Sequence, residues 1–263
     1  MKRGQADLFL FMGQSNMAGR GVTCEQFPET APELIRGAGF EYRAVTAPDG
    51  LCAVQEPFGK EENRTDGIDD GERKSGSLVT AFVNAYYQET EVPVIGISAS
   101  KGGSSIRQWQ PGGAFLKDVE KRLDSCRKFL EKDGWQVRHV CMLWCQGETD
   151  GDHGMSGEEY QNSFRNMWME MQRLGVETCF LILIGKYNGV ENICYREVRE
   201  AQRRLPELCE GVVLADDSFE GMKERGLMKD EFHYYQKAYN EAGDAAGRKT
   251  GCWMAALTNV NKL

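Results

Sequence analysis

The sequence has no apolar run long enough to span a bilayer; the longest, such as Cys179 to Ile184, fall far short of the ~20 residues that a membrane helix needs. It also has no C-x-x-C pair. Its nine cysteines are odd in number and mostly sit inside apolar segments (Cys126, Cys141, Cys145, Cys179), so they read as reduced, buried packing groups rather than metal ligands or a disulfide framework. Positive charge is not in excess. With 32 Lys+Arg against 40 Asp+Glu, a net charge of −8 and a pI near 5.1, the chain repels a phosphate backbone, which argues against a nucleic-acid partner. Histidine is scarce, at three residues, so any imidazole base must be His139, His153 or His233. There is no internal repeat, linker or low-complexity tract.

What is present is a chain of 263 residues, 41% hydrophobic and 27% charged, with mean hydropathy −0.53, the profile of a soluble globular protein able to bury a sizeable core. The start Met-Lys-Arg is followed by an apolar stretch of only Leu8 to Met12, shorter than a signal-peptide core, and the chain reads as cytoplasmic. Five runs have strand length and continuous apolar character: Leu8–Met12, Val92–Ser98, His139–Cys145, Thr178–Gly185 and Gly211–Ala215. Continuous rather than alternating runs suit strands buried on both faces of a parallel sheet.

Helical spacing lies between them. In Gly157–Leu174, Tyr160, Phe164, Met167, Trp168, Met171 and Leu174 recur every three or four residues behind a Ser156/Glu159 capping box. Ala114–Lys132 aligns Phe115, Val119, Leu123, Cys126 and Leu130; Ser77–Thr90, Glu191–Leu205 and a C-terminal helix from near Tyr234 complete the set. The alternation predicts one three-layer α/β/α domain over residues 1–263 around a central parallel five-stranded sheet. Residues 39–76 break the pattern, with Glu41–Val45 and Leu51–Gln55 around Pro48-Asp49-Gly50 resembling a hairpin, and are expected to run over the sheet edge near the cleft.

Ligands of open parallel sheets bind beyond the carboxyl ends of the strands. Polar and glycine-rich residues gather there from four parts of the chain: Gly13-Gln14-Ser15-Asn16-Met17, Lys101-Gly102-Gly103-Ser104, Gln146-Gly147-Glu148-Thr149-Asp150 and Asp230-Glu231-Phe232-His233. Ser15, at a strand-to-helix turn, is exposed as a nucleophile needs to be, although a serine there also serves as a helix cap. His139 begins a strand at the opposite edge and His153 lies in an acidic loop, which leaves His233 as the preferred base. Oxyanion donors are available from the Ser15 N–H, an N–H of Gly102-Gly103 and the Gln146 side chain. For the carboxylate that orients His233, Asp230 in the D-x-x-H spacing is preferred and Glu148 stays open. Trp109, Tyr187, Tyr234 and Tyr235 are candidates to stack on a sugar ring, and Arg20 and Arg107 to pair with a sugar carboxylate.

Gly13-Gln14-Ser15-Asn16-Met17-Ala18-Gly19, Lys101-Gly102-Gly103-Ser104-Ser105-Ile106 with Trp109, Trp144-Cys145-Gln146-Gly147-Glu148-Thr149-Asp150 and Asp230-x-x-His233 resemble the sialate O-acetylesterase and acetylxylan esterase branch of the SGNH hydrolases, from about residue 8 to residue 243. The resemblance implies a flavodoxin-like sheet and a serine esterase that removes acetyl groups from a carbohydrate. Ser15 and His233 would be catalytic, Ser15, Gly103 and Gln146 would form the oxyanion hole, and Gln14, Asn16, Arg20 and Trp109 would contact substrate. No metal or other cofactor is called for, and the partner is a small-molecule or oligosaccharide acetyl ester. Gly71-Glu72-Arg73 departs from the Gly-Pro-Glu usual in the branch. An α/β-hydrolase would place its serine after later strands, and a nucleotide-binding domain would carry a phosphate-loop motif that is missing. The acidic run Glu148–Asp152 lacks EF-hand spacing. A silent carbohydrate-binding protein of the same fold is the remaining alternative.

Overall fold

The computed structural model describes residues 4–191 and 193–260; residues 1–3, 192 and 261–263 lie outside the description, and with them part of the expected 191–205 helix. In chain order the strands are β1 (Gly4–Gly13), β2 (Gly39–Arg43), β3 (Ala47–Ala53), β4 (Val94–Ser100), β5 (Trp135–Cys145), β6 (Thr178–Ile182) and β7 (Val212–Asp216). The helices are α1 (Ser15–Ala18), α2 (Val79–Thr90), α3 (Ala114–Asp133), α4 (Glu148–Asp152), α5 (Gly157–Arg173), α6 (Arg196–Leu208) and α7 (Gln236–Val260).

One sheet of order β3-β2-β4-β1-β5-β6-β7 runs through the molecule, and every neighbouring pair is parallel except β2 with β3. Side chains of β1 alternate between two cores. Leu8, Leu10 and Met12 pack with the apolar faces of α3, α5 and α6, whereas Phe9 and Phe11 pack with α2 and α7. On the second face Phe9 meets Phe82 and Tyr86 edge-on at 5.3 and 5.2 Å. Burying each such side chain stabilises the fold by roughly 1.5–3 kcal/mol, which is why β1 is apolar at every position from Leu8 to Met12.

The sheet has seven strands where the sequence predicts five. The hairpin expected to cross the sheet edge instead extends it: β2 pairs in parallel with β4 and β3 forms the antiparallel edge. Its turn falls at residues 44–46, since Arg43 already faces Ala47, and Pro48-Asp49-Gly50 lies within β3. An edge strand tolerates a proline because one row of its N–H groups has no ladder partner. The buried Glu62 carboxylate fixes the turn by accepting from the Val45 and Thr46 amides at 2.9 and 3.1 Å. At α5 only half of the expected capping box forms. Ser156 Oγ accepts from the Glu159 amide, but the Glu159 carboxylate takes Arg107 Nε at 2.8 Å instead.

Candidate active site

The strand order places β1 between β4 and β5, so the chain leaves β1 toward one side of the sheet and later returns to its other side. The loops after these three strands therefore splay apart and leave a crevice at their carboxyl ends. Gly13 lets β1 end close against β5. Its φ is +141°, and a Cβ there would lie 2.0 Å from the Cys145 carbonyl oxygen, which accepts the Gln14 amide at 2.9 Å. The turn brings Ser15 into a cleft of about 280 Å³ together with Gln14, Arg20, Gly102, Gly103, Glu148 and His233.

In the cleft, Ser15 Oγ is 2.9 Å from His233 Nε2, and His233 Nδ1 is 3.0 Å from Asp230 Oδ2. The other Asp230 oxygen accepts the backbone N–H groups of Phe232 and His233 at 2.8 and 2.7 Å, so the carboxylate also shapes the loop that presents the imidazole. Burial works to raise the Asp230 carboxyl, but the hydrogen bonds from His233 and from these amides outweigh it and hold the group well below the usual carboxylate range. His139 lies far from this site, on Glu177 at 2.8 Å, and His153 is exposed at the end of α4.

The Ser15 and Gly103 backbone N–H groups donate to no other group among the described residues, and both residues line the cleft. Gly103 has φ +69°, a left-handed conformation that glycine alone adopts without strain. Gln146 is placed otherwise than the sequence suggests. It is wholly buried, does not line the cleft, and its amide nitrogen faces Asp150 Oδ2 at 2.5 Å, the Ser104 carbonyl at 2.9 Å and Gln14 Oε1 at 3.2 Å. With both hydrogens committed to protein acceptors, Gln146 has none for an oxyanion.

Glu148 does line the cleft but makes no hydrogen bond to His233 among the described residues. Its Oε1 takes Asn16 Nδ2 at 2.5 Å, its Oε2 has no partner among the described residues, and burial pushes its carboxyl up. Asn16, expected to contact substrate, is fully buried; its amide joins Glu148, the Phe232 carbonyl at 3.1 Å and the Tyr239 hydroxyl at 2.6 Å, tying three segments of the site together. Trp109 is likewise core rather than a sugar platform, since it is fully buried with Nε1 on Ser104 Oγ at 3.0 Å. Tyr234 is stacked on Phe219 in the interior, Tyr187 is buried and Tyr235 packs on Phe27. Arg107 is engaged with Glu159. Arg20 lines the cleft, with its Nη2 held by Asp70 at 2.5 Å.

Four lining residues were given no role from sequence: Phe232, Arg73, Thr149 and Asp152. Phe232 had a readable signal, being an apolar side chain inside the D-x-x-H motif itself. Arg73, in the Gly71-Glu72-Arg73 departure, is exposed and has no ion-pair partner among the described residues. Those residues contain no group of three or more His, Cys, Asp or Glu arranged to hold a metal ion, and no helix long and apolar enough to cross a membrane.

Comparison with known proteins agrees with this architecture. The chain is 28% identical over 216 residues to a probable carbohydrate esterase of Arabidopsis thaliana, covering 75% of each. A crystal structure of an Arabidopsis thaliana protein superimposes with a TM-score of 0.69 at 23% identity, over 96% of this chain and 98% of that one. A carbohydrate acetylesterase from Xanthomonas citri gives 0.54 at 16% identity, over 91% of this chain and 55% of its own. A variant of an acetyl-xylooligosaccharide esterase from Geobacillus gives 0.50 at 15%, over 95% and 97%. The family described as carbohydrate esterase, sialic acid-specific acetylesterase, matches residues 5–250. The chain therefore belongs to the sialic acid-specific acetylesterase family of carbohydrate esterases, and with it to the carboxylic ester hydrolases.

Proposed function

We propose that the protein is a serine esterase that removes O-acetyl groups from a carbohydrate through an acetyl-enzyme intermediate. The observation that carries this reading is the hydrogen-bonded chain Ser15–His233–Asp230, with links of 2.9 and 3.0 Å, opening into a cleft beside two unengaged backbone N–H groups. His233 Nε2 takes the proton as Ser15 Oγ attacks the acetyl carbonyl, and Asp230 fixes the tautomer and stabilises the imidazolium. The Ser15 and Gly103 N–H groups face the oxygen on which negative charge develops. Collapse of the tetrahedral intermediate breaks the ester C–O bond, and His233 returns its proton to the departing sugar hydroxyl. Water, deprotonated by the same histidine, then releases acetate and restores Ser15.

Phe232 offers an apolar face for a sugar ring, and Arg20 and Arg73 offer cationic donors for its polar substituents. Release of acetate from acetylated sialic acid, acetylated xylo-oligosaccharides and simple acetylated hexoses tests the reading. Turnover of at least one is expected, with the acidic sugar favoured if the two arginines meet a carboxylate. Failure on every acetylated sugar while plain aryl acetates are hydrolysed would move the assignment to a non-carbohydrate ester.

A further inference from the structure

We infer that the side-chain amide of Gln14 is the third oxyanion donor of this site. The inference rests on the esterase reading above and replaces Gln146 in the role that the sequence resemblance gives it.

Gln14 Oε1 accepts three hydrogen bonds: from the Gly147 backbone N–H at 3.0 Å, from Gln146 Nε2 at 3.2 Å and from the Thr149 backbone N–H at 3.4 Å. A backbone N–H can only donate, so the atom facing Gly147 and Thr149 must be the oxygen, and the two ends of the amide are not interchangeable. The nitrogen then points away from the loop after β5. It meets no acceptor among the described residues, yet Gln14 is only 3% exposed and borders the cleft with Ser15, Gly103 and His233. Nε2 is not one of the buried side-chain atoms left without a partner, so its two free hydrogens open to the cleft, where a ligand oxygen can take them. Gln14 also directly precedes Ser15, so its side-chain donor and the Ser15 N–H belong to one turn, and both residues line the same cleft. Gln146 supports this arrangement. Its amide binds Gln14 Oε1 on one side and Asp150 on the other, and Asp150 in turn accepts the Ser105 hydroxyl and the Ile106 amide, joining the loops after β4 and β5.

The test uses Gln14→Glu, which keeps an oxygen for Gly147 and Thr149 but removes the NH₂, and Gln14→Met, which removes both. With an aryl acetate, both variants should lose about 10²–10³-fold in kcat with KM changed little, as for loss of one oxyanion-hole donor. Their affinity for phenylboronic acid, whose adduct on Ser15 is tetrahedral, should fall in parallel. A folded variant with kcat within about threefold of wild type, or one altered only in KM, would overturn the assignment. The wild-type phenylboronate adduct provides a readout independent of variant folding: a boronate oxygen within hydrogen-bond distance of Gln14 Nε2 supports the role, and one turned away from it refutes it. Wild-type protein that neither hydrolyses aryl acetate nor forms the adduct would instead count against the esterase reading itself.

Discussion

Two carboxylates near the imidazole have opposite electrostatic surroundings. Asp230 receives hydrogen bonds from His233 and two backbone amides and is held ionised, whereas burial raises Glu148, and the bonds from Asn16 and from its own backbone amide only partly offset the loss of water. An ionised carboxylate on Nδ1 stabilises an imidazolium, and Asp230 alone is bonded to Nδ1, whereas Glu148 makes no hydrogen bond to His233 among the described residues. Asp230→Asn should therefore lower kcat by about 10³–10⁴-fold and Glu148→Gln by much less. Steady-state kinetics on an aryl acetate decides it, and the reverse ranking would assign Glu148 the orienting role. The sequence made the choice of residue types in this site readable but not the direction of each side chain. Motifs identify the three segments, after β5, β1 and β4, that carry Gln146, Asn16 and Trp109. Whether a side chain turns to the cleft or to the core depends on the hydrogen bonds it finds after folding: Gln146 and Trp109 are held by near neighbours, Asp150 and Ser104, and Asn16 by Glu148 from 132 residues away.

At the scale of elements, the loop after β4 acts through its backbone. Gly103 adopts φ +69°, and a Cβ there would meet nothing within 4 Å, so Gly103→Ala introduces conformational strain without a clash. We expect a stability loss on the order of 1 kcal/mol, together with a fall in kcat of up to about 10²-fold as the N–H shifts. Thermal melts and kcat measured on the same preparation check this; unchanged kcat would separate Gly103 from the oxyanion. Strands β1, β4, β5, β6 and β7 were legible because burial between helical layers demands unbroken apolar runs. The hairpin of β2 and β3 was legible as a hairpin but not as sheet. Its charged residues Glu41 and Arg43 pair with each other at 2.8 Å, and its turn is set by the distant Glu62, neither of which periodicity reveals.

For the molecule as a whole, cleft size and pH bear on behaviour. A cleft of about 280 Å³ shared by catalytic groups and sugar leaves little room for a long acyl chain, so kcat/KM should fall from acetate to butyrate and longer aryl esters. Rising values would indicate a lipase-like enzyme. Asp216, at the end of β7, is lifted from 3.8 to about 6 by burial, despite hydrogen bonds from Ser218. Across that window the folded protein holds a proton that the unfolded chain releases, so this group reduces stability as pH rises from about 4 to about 6. Asp216→Asn should gain on wild type over the same window, by up to about 3 kcal/mol at pH 7. Urea midpoints at pH 4 and 7 measure it, and an equal gap at both would contradict the linkage.

The central claim is that Ser15 carries the acetyl group between sugar and water. Acid quench of the enzyme during turnover of an acetyl ester, followed by peptide mass spectrometry, tests it most directly, with Ser15→Ala in parallel. The account predicts one acetyl group on Ser15 in wild type, and a folded, unlabelled and inactive Ser15→Ala protein. Undiminished ester hydrolysis by Ser15→Ala, with acetyl on another residue or on none, would contradict it.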